Sequence, residues 1–529
     1  MNRITRREAF KLASAAALSA SASAVTVAQD QSPHTIPLWG VFEASFTAPI
    51  SGNPYTDVRL SAIFTQGSRN IEVAGFCDGE EKGIARFKIR FMPDALGRWT
   101  FTLHSSLSSL DGQKGSFEAV PALPGAHGPV SVRNTFHFAS ADGTPFFPFG
   151  TTCYAWMHQS EDLRRQTLDT LAASPFNKVR MCLLPKSYEY NTGEPPLFPF
   201  ARDAAGKHDF TRPNPEFFQM VERSIAALGE RGIVADLILF HPYDSWGFAA
   251  MPPEADDFYL RYAVARLAAY SNVWWSMANE WDLMKAKSLA DFDRLFKILE
   301  TADPYSRLRS IHYSVTMYDY SRPWITHASL QTYDFATAPT YRANWLKPVC
   351  YDEVQYEGNL NRRWGNLSGD EMSRRFWLGI VNGCYVTHGE TYLDPNDPMD
   401  EQNHHPIFWS QGGPLKGTSP KQIAFLRKLV EESAGGLPST RTGFTPDPKP
   451  YYLNATAYAA DGKTARTILY YFDYHQPSWY EFPLPEGEFT FEWIDPISMT
   501  ITPQPGRHKG KVKLRLPGRP FQAARFRAV

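Results

Sequence analysis

The chain has 529 residues, of which 43% are hydrophobic and 21% charged, with a formal net charge of -1. Such a length exceeds the ~250 residues at which a single core stops growing, so two or three domains are expected. The near-zero charge excludes the basic field that would draw in nucleic acid or an anionic membrane. An aromatic share of 14%, with 14 Trp and 25 Tyr, offers flat apolar faces with polar edges, which suit sugar binding as well as a large core.

Residues 1–28 read as an export signal. Arg6 and Arg7 precede a weakly apolar Ala/Leu/Ser run and small-residue cleavage candidates at Ala22-Ser23-Ala24 and Thr26-Val27-Ala28, the layout of a bacterial twin-arginine signal. The expected location is therefore periplasmic or extracellular. Beyond the signal no run approaches ~18 consecutive apolar residues, so no membrane span is expected. The cysteines, Cys77, Cys153, Cys182, Cys350 and Cys384, are too scattered for a disulfide framework or a zinc knuckle. Four of the five lie in apolar runs, which favours buried thiols.

From 33 to 125, short alternating segments such as "VRLSAIF" and "GRWTFTLHS" predict an antiparallel β-sandwich. "VPALPGAHGPV" follows as a linker. From 130 to 432, apolar runs alternate with helical stretches, the pattern of a parallel sheet with crossover helices. Eight strands are predicted, in "FFPFGTTCY", "NKVRMCLL", "GIVADLILF", "NVWWSMANE", "LRSIHYSV", "HASLQTY", "KPVCYDEV" and "GCYVTHGE". The fold class is α/β, a (β/α)8 TIM barrel, with a doubly wound open sheet as the alternative. From 440 to 529, "RTILYYFDY", "FTFEWID" and "KVKLRL" predict a second β-sandwich.

In a TIM barrel the functional groups sit at the C-terminal ends of the strands. Strand four ends at Asn279 and Glu280, and strand seven at Glu353. Two carboxyls ~5 to 5.5 Å apart are what a retaining glycosidase uses: one attacks the anomeric carbon while the other protonates the leaving oxygen. Glu280 is the expected acid/base and Glu353 the expected nucleophile, with Asn279 hydrogen-bonding the neighbouring sugar hydroxyl. For Glu280 to be protonated near neutrality, the charge of Glu353 should raise its pKa.

With these residues placed, the chain resembles clan A of the glycoside hydrolases, whose acid/base follows Asn on strand four and whose nucleophile ends strand seven. More narrowly, "KPVCYDEVQYEG" with "FWSQGGPLKGTSPKQIAFLRKLV" resembles the apiosidase-like barrel family, which often carries an N-terminal sandwich and a C-terminal β domain. The resemblance covers essentially the whole mature chain. It implies Glu280 as acid/base, Glu353 as nucleophile and apiose-containing pectic side chains as a substrate class. Asp352 and Val354 flank Glu353 where the family pattern has Gly and Pro.

Other strand-end residues compete for supporting roles. Arg180 either pairs with the nucleophile or belongs to a barrel-core ion pair. His241 and His312 either bind sugar hydroxyls or are structural. Tyr154, Trp156, Gln331, Tyr333, Tyr356, His388 and Trp409 are candidate subsite walls. Asp282, Asp352, Glu357 and Glu390 are rival carboxyls; alternation turns Asp352 away from the side that Glu353 faces, and Glu390 is the strongest replacement nucleophile. The acidic loop from Asp394 through Asp397, Asp400, Glu401, His404 and His405 lacks the ordered ligand spacing of a calcium loop and reads as solvated. No metal, nucleotide or redox cofactor is called for. The expected function is retaining hydrolysis of a glycosidic bond in a plant or microbial poly- or oligosaccharide. Its rival is a noncatalytic carbohydrate- or matrix-binding protein that keeps the barrel as a scaffold.

Overall fold

The computed structural model describes residues 35–394, 407–433, 454–458 and 466–529. The expected export segment and the acidic loop beyond Asp394 lie outside these residues. Among the described residues, no helix is long and apolar enough to cross a membrane, and all five cysteines are buried and unpaired.

Eight parallel strands form the centre: Phe149–Thr152, Lys178–Cys182, Val234–Phe240, Val273–Ala278, Arg309–Ser310, Ala328–Gln331, Val349–Glu353 and Tyr385–His388. They are referred to below as barrel strands one to eight. Their order around the sheet is five, four, three, two, one, eight, seven, six. The seam between strands five and six is bridged by Thr326 N–H donating to Arg309 O (2.9 Å) and by Ser310 Oγ donating to His327 O (2.6 Å). The barrel is thus nearly closed. All seven residues of strand three are buried, as expected where helices cover one face and side chains fill the other.

Capping residues set where the surrounding helices begin. Ser160 starts Glu161–Ala173, Asn214 with Pro215 behind it starts Pro215–Gly229, and Ser288 with Asp291 forms a capping box for Leu289–Ala302. A small antiparallel sheet, Val130–Arg133, His137–Ser140 and Pro145–Phe146, closes the opposite end. Its Phe138 packs 5.0 Å from Trp274 and 5.4 Å from Tyr385.

The N-terminal unit pairs a five-stranded and a three-stranded sheet around Phe42, Phe64, Phe91, Trp99 and Phe117. The C-terminal unit is a five-stranded sheet with a two-stranded companion around Tyr470, Phe482, Phe491 and Phe526. It docks through Trp377, stacked on Tyr471 at 5.2 Å, and through a two-point ion pair between Arg374 and Asp473.

Charge fastens the N-terminal unit to the barrel. Arg90 reaches Glu222 on helix Pro215–Gly229 (2.7 Å), and Arg266 on helix Pro253–Leu267 reaches back to Asp78 (2.8 Å) and to Glu222. Arg90 also donates to Arg266 O at 2.8 Å. Both guanidiniums are buried, so removing one partner strands a charge away from water. Arg266→Ala is expected to cost about 3–5 kcal/mol, read as a fall in the denaturation midpoint, whereas an exposed pair such as Arg165–Asp162 should give under about 1 kcal/mol.

Candidate active site

The throat of the barrel is charged. Lys178 and Arg180 project inward from strand two, Asp236 from strand three and Asp352 from strand seven. Lys178 Nζ lies 2.6 Å from Asp352 and 3.1 Å from Asp236, and Arg180 Nη1 lies 3.2 Å from Asp352. Asp352 also accepts from Ser329 Oγ (2.6 Å) and Thr387 Oγ1 (2.7 Å). Burial alone would raise the Asp352 carboxyl, but the Lys178 and Arg180 cations outweigh it and hold the carboxyl well below the usual range. Gly150 makes this layer possible, because a Cβ there would collide with Thr387 Oγ1 and crowd Lys178.

Above this layer the chain leaves strand four through Asn279 and Glu280. Arg180 Nη2 donates to Asn279 Oδ1 (3.0 Å), and Asn279 Nδ2 donates to Glu280 Oε2 (3.2 Å). Glu280 sits in the left-handed region, at φ 47°, ψ 54°, which is costly for a residue with a Cβ. Neighbouring strands impose it: Asn279 N–H donates to Phe240 O (2.9 Å) and Trp281 N–H to His312 O (3.0 Å).

Each glutamate receives a tyrosine. The Tyr154 hydroxyl, from the end of strand one, donates to Glu353, and the Tyr243 hydroxyl, from the loop after strand three, donates to Glu280. Between these phenols lies Lys186, whose ammonium is 4.2 Å from the Tyr154 ring centroid, 4.3 Å from Tyr243 and 5.5 Å from Tyr188. Burial pushes the Glu353 carboxyl up, the charge of Glu280 pushes it further, and Tyr154, Lys186 and Arg180 pull it partly back, leaving it raised to about 7. One proton is therefore held among the two carboxyls up to neutral pH.

Of the remaining expected site residues, some belong to the mouth and others do not. Gln331 pairs with Glu353 across strands six and seven, where the register slips, and its Oε1 is buried without a partner. Tyr356 stands among Trp364 and Phe408, with centroids at 5.6 and 6.0 Å, and Tyr333 is 51% exposed with Arg375 over its ring. Arg180 is fully buried, so it reaches the mouth through Asn279 and does not touch a substrate itself. His241 Nε2 donates to Leu184 O (3.1 Å), and burial holds its pKa at about 4; His312 is fully buried and likewise lowered by burial, then by Arg180. Both are neutral packing residues.

Trp156 is another correction: it is buried in the main core, in the wall shared with helices Glu161–Ala173 and Pro215–Gly229. Trp409 is buried as well, its indole N–H donating to Thr151 Oγ1 at 2.7 Å. His388 and Glu390 are 0% and 2% exposed and face the loop before helix Ser419–Ser433, not the mouth. Glu390 accepts from the backbone of Lys416 and Gly417, and Glu357 from Thr418 and Ser419. Asp282 accepts three backbone N–H groups, from Ser314, Val315 and Thr316, and so holds the loop after strand five. The rival carboxyls are thus all occupied elsewhere. Sequence reasoning missed Tyr243 and Lys186; the signal was their place three and four residues beyond strands three and two, in loops that any barrel turns toward its mouth.

The Apiosidase-like catalytic domain model matches residues 133–434, and two domains of unknown function, DUF5060 and DUF5605, match residues 35–106 and 457–527. A comparison with curated proteins gives no match. Among solved structures, a candidate glycoside hydrolase from Bacteroides vulgatus is 38% identical, with a TM-score of 0.84 over 94% of this chain and 100% of that one. A glycoside hydrolase family 5 structure, also from Bacteroides vulgatus, is 14% identical with a TM-score of 0.57, over 76% of this chain and 93% of that one. The latter likeness is one of fold. With its barrel, its paired mouth carboxyls and its three-part order, the chain belongs to the apiosidase-like family and has the fold of the glycoside hydrolases.

Proposed function

We propose that the protein is a retaining glycosidase of a plant or microbial poly- or oligosaccharide, with Glu353 as nucleophile and Glu280 as acid/base. The observation that carries the proposal is the electrostatic coupling of two mouth carboxyls, each fed by a tyrosine hydroxyl, above a throat whose acids Asp236 and Asp352 are paired with Lys178 and Arg180. In the first step Glu353 attacks the anomeric carbon as Glu280 gives its proton to the leaving oxygen; in the second, Glu280 as carboxylate takes a proton from water, which displaces Glu353. Lys186 and Arg180 favour the ionised Glu353 that the first step needs. Asn279, fixed by Arg180, and Gln331, with a free buried acceptor, are placed to hold sugar hydroxyls. Tyr356 and Tyr333 supply ring faces.

Three measurements test this reading. Glu353→Ala should lower kcat/KM on an activated aryl glycoside at least about 10³-fold, and proton NMR of the first product should show the anomeric configuration of the substrate. Inverted product, or turnover by Glu353→Ala within tenfold of wild type, would refute it. The pocket needs one proton, so kcat/KM should fall as pH rises through about 7.

The same shift has a stability consequence. The Glu353 carboxyl has a higher pKa folded than unfolded, so the folded state binds the extra proton between the ordinary carboxylate range and about 7. Its contribution favours folding at low pH and is lost as pH rises through that window. Glu353→Gln should therefore raise Tm relative to wild type at pH 8, and the gain should shrink toward pH 5.

A further inference from the structure

We infer that Glu357, His388 and Glu390 bind one divalent transition-metal ion, of the zinc or manganese class, behind the mouth of the barrel. The inference does not rest on the glycosidase reading. Strand eight ends at His388, and the chain continues as Glu390–Tyr392, which pairs with Glu357–Gly358 so that Glu357 and Glu390 stand in register. One ligand atom from each of the three residues lies within 4.8 Å of the others. His388 Nε2 is 3.6 Å from Glu390 Oε2 and 4.0 Å from Glu357 Oε2. Those separations are too long for hydrogen bonds. They come close to the roughly 3 to 3.6 Å that separates adjacent ligands on one ion with bonds of about 2.0–2.2 Å, and a small side-chain movement closes the difference.

His388 supplies the independent sign. It is fully buried, its Nε2 has no hydrogen-bond partner, and that atom faces the two carboxylates. Its Nδ1 lies 3.1 Å from Thr151 Oγ1, the kind of outer contact that fixes which nitrogen is left to a metal. Charge points the same way. The groups donating to the two carboxylates are backbone N–H groups of residues 416–419 and the hydroxyls of Tyr392 and Thr418, all neutral. Among the described residues, neither carboxylate forms an ion pair with Lys or Arg. Two buried carboxylates without a full positive charge are costly, and a dication removes that cost. An imidazole beside two carboxylates favours zinc or manganese over calcium, which takes six to eight oxygens. Gly417 keeps the space open, because a Cβ there would collide with Oε2 of both glutamates.

The ion would act at a distance. Glu357 follows Tyr356, which lies beside Tyr154, the donor to Glu353. Holding Glu357 therefore positions the segment that carries the candidate nucleophile.

The test uses the tag-free full chain from cells grown with added zinc or manganese. Elemental analysis should find about one equivalent of metal per chain, and chelation should lower Tm by about 4 °C or more. Zinc or manganese chloride should restore the loss, and calcium chloride should not. His388→Gln and Glu390→Gln should retain under about 0.1 equivalent and show a Tm that no longer responds to metal. Wild-type protein that carries no metal, with a Tm unmoved by either salt, would overturn the inference. So would a His388→Gln variant that melts earlier yet still binds one equivalent. Should a variant fail to fold, chelation and reloading of the wild-type protein decide alone.

Discussion

One carboxylate organises the mouth of this barrel. Asp352 lies where a TIM barrel usually packs branched aliphatic side chains, and it binds Lys178, Arg180, Ser329 and Thr387 at once. With Asp236 the throat holds two cations and two anions, so the layer is neutral as a whole while no member is expendable. Its rigidity is passed upward in two directions. Through Arg180 and Asn279 it fixes one face of Glu280; through the backbone of strand seven it fixes Glu353, the next residue. A single buried anion thus sets the relative positions of two acids that lie far apart in sequence.

Much of this was legible beforehand, for identifiable reasons. The eight strands showed as apolar runs because each is buried on both faces, and even strand five, reduced to Arg309–Ser310, lay inside a recognisable run. The fold class followed, together with the two β regions at either end. Strand-end reasoning brought Asn279, Glu280 and Glu353 to one place, but period-two alternation misplaced Asp352, which projects into the barrel beneath them. The family resemblance pointed to the catalytic domain that the matching model spans.

What stayed hidden depends on how loops return. Tyr243 and Lys186 lie past their strands, and periodicity carries no information about where such residues point. His388 and Glu390 end strand eight as Glu353 ends strand seven, yet they face the wall, because the turn at Lys416–Ser419 supplies backbone donors that draw the acids outward. Trp156 follows strand one just after Tyr154, but it lies in a helical turn that carries it into the core. Nor does the sequence show that Lys186 and two phenols share the pocket with both acids.

The link between the N-terminal sandwich and the barrel reaches into how such chains are inherited. Arg90 and Asp78 belong to one unit, Glu222 and Arg266 to the other, and the pairs across the boundary add to partners within each unit: Glu43 for Arg90, Lys88 for Asp78, and Glu222 and Arg266 for one another. Domain shuffling normally works by recombining pieces whose surfaces are finished. Here neither surface is finished: a barrel separated from its sandwich would expose Tyr262 and Arg266 along an unpartnered helix, and in the sandwich Arg90 would keep Glu43 but lose Glu222. The two units are therefore transmissible only as a pair, and the sandwich is better regarded as part of the barrel's outer wall than as a detachable accessory.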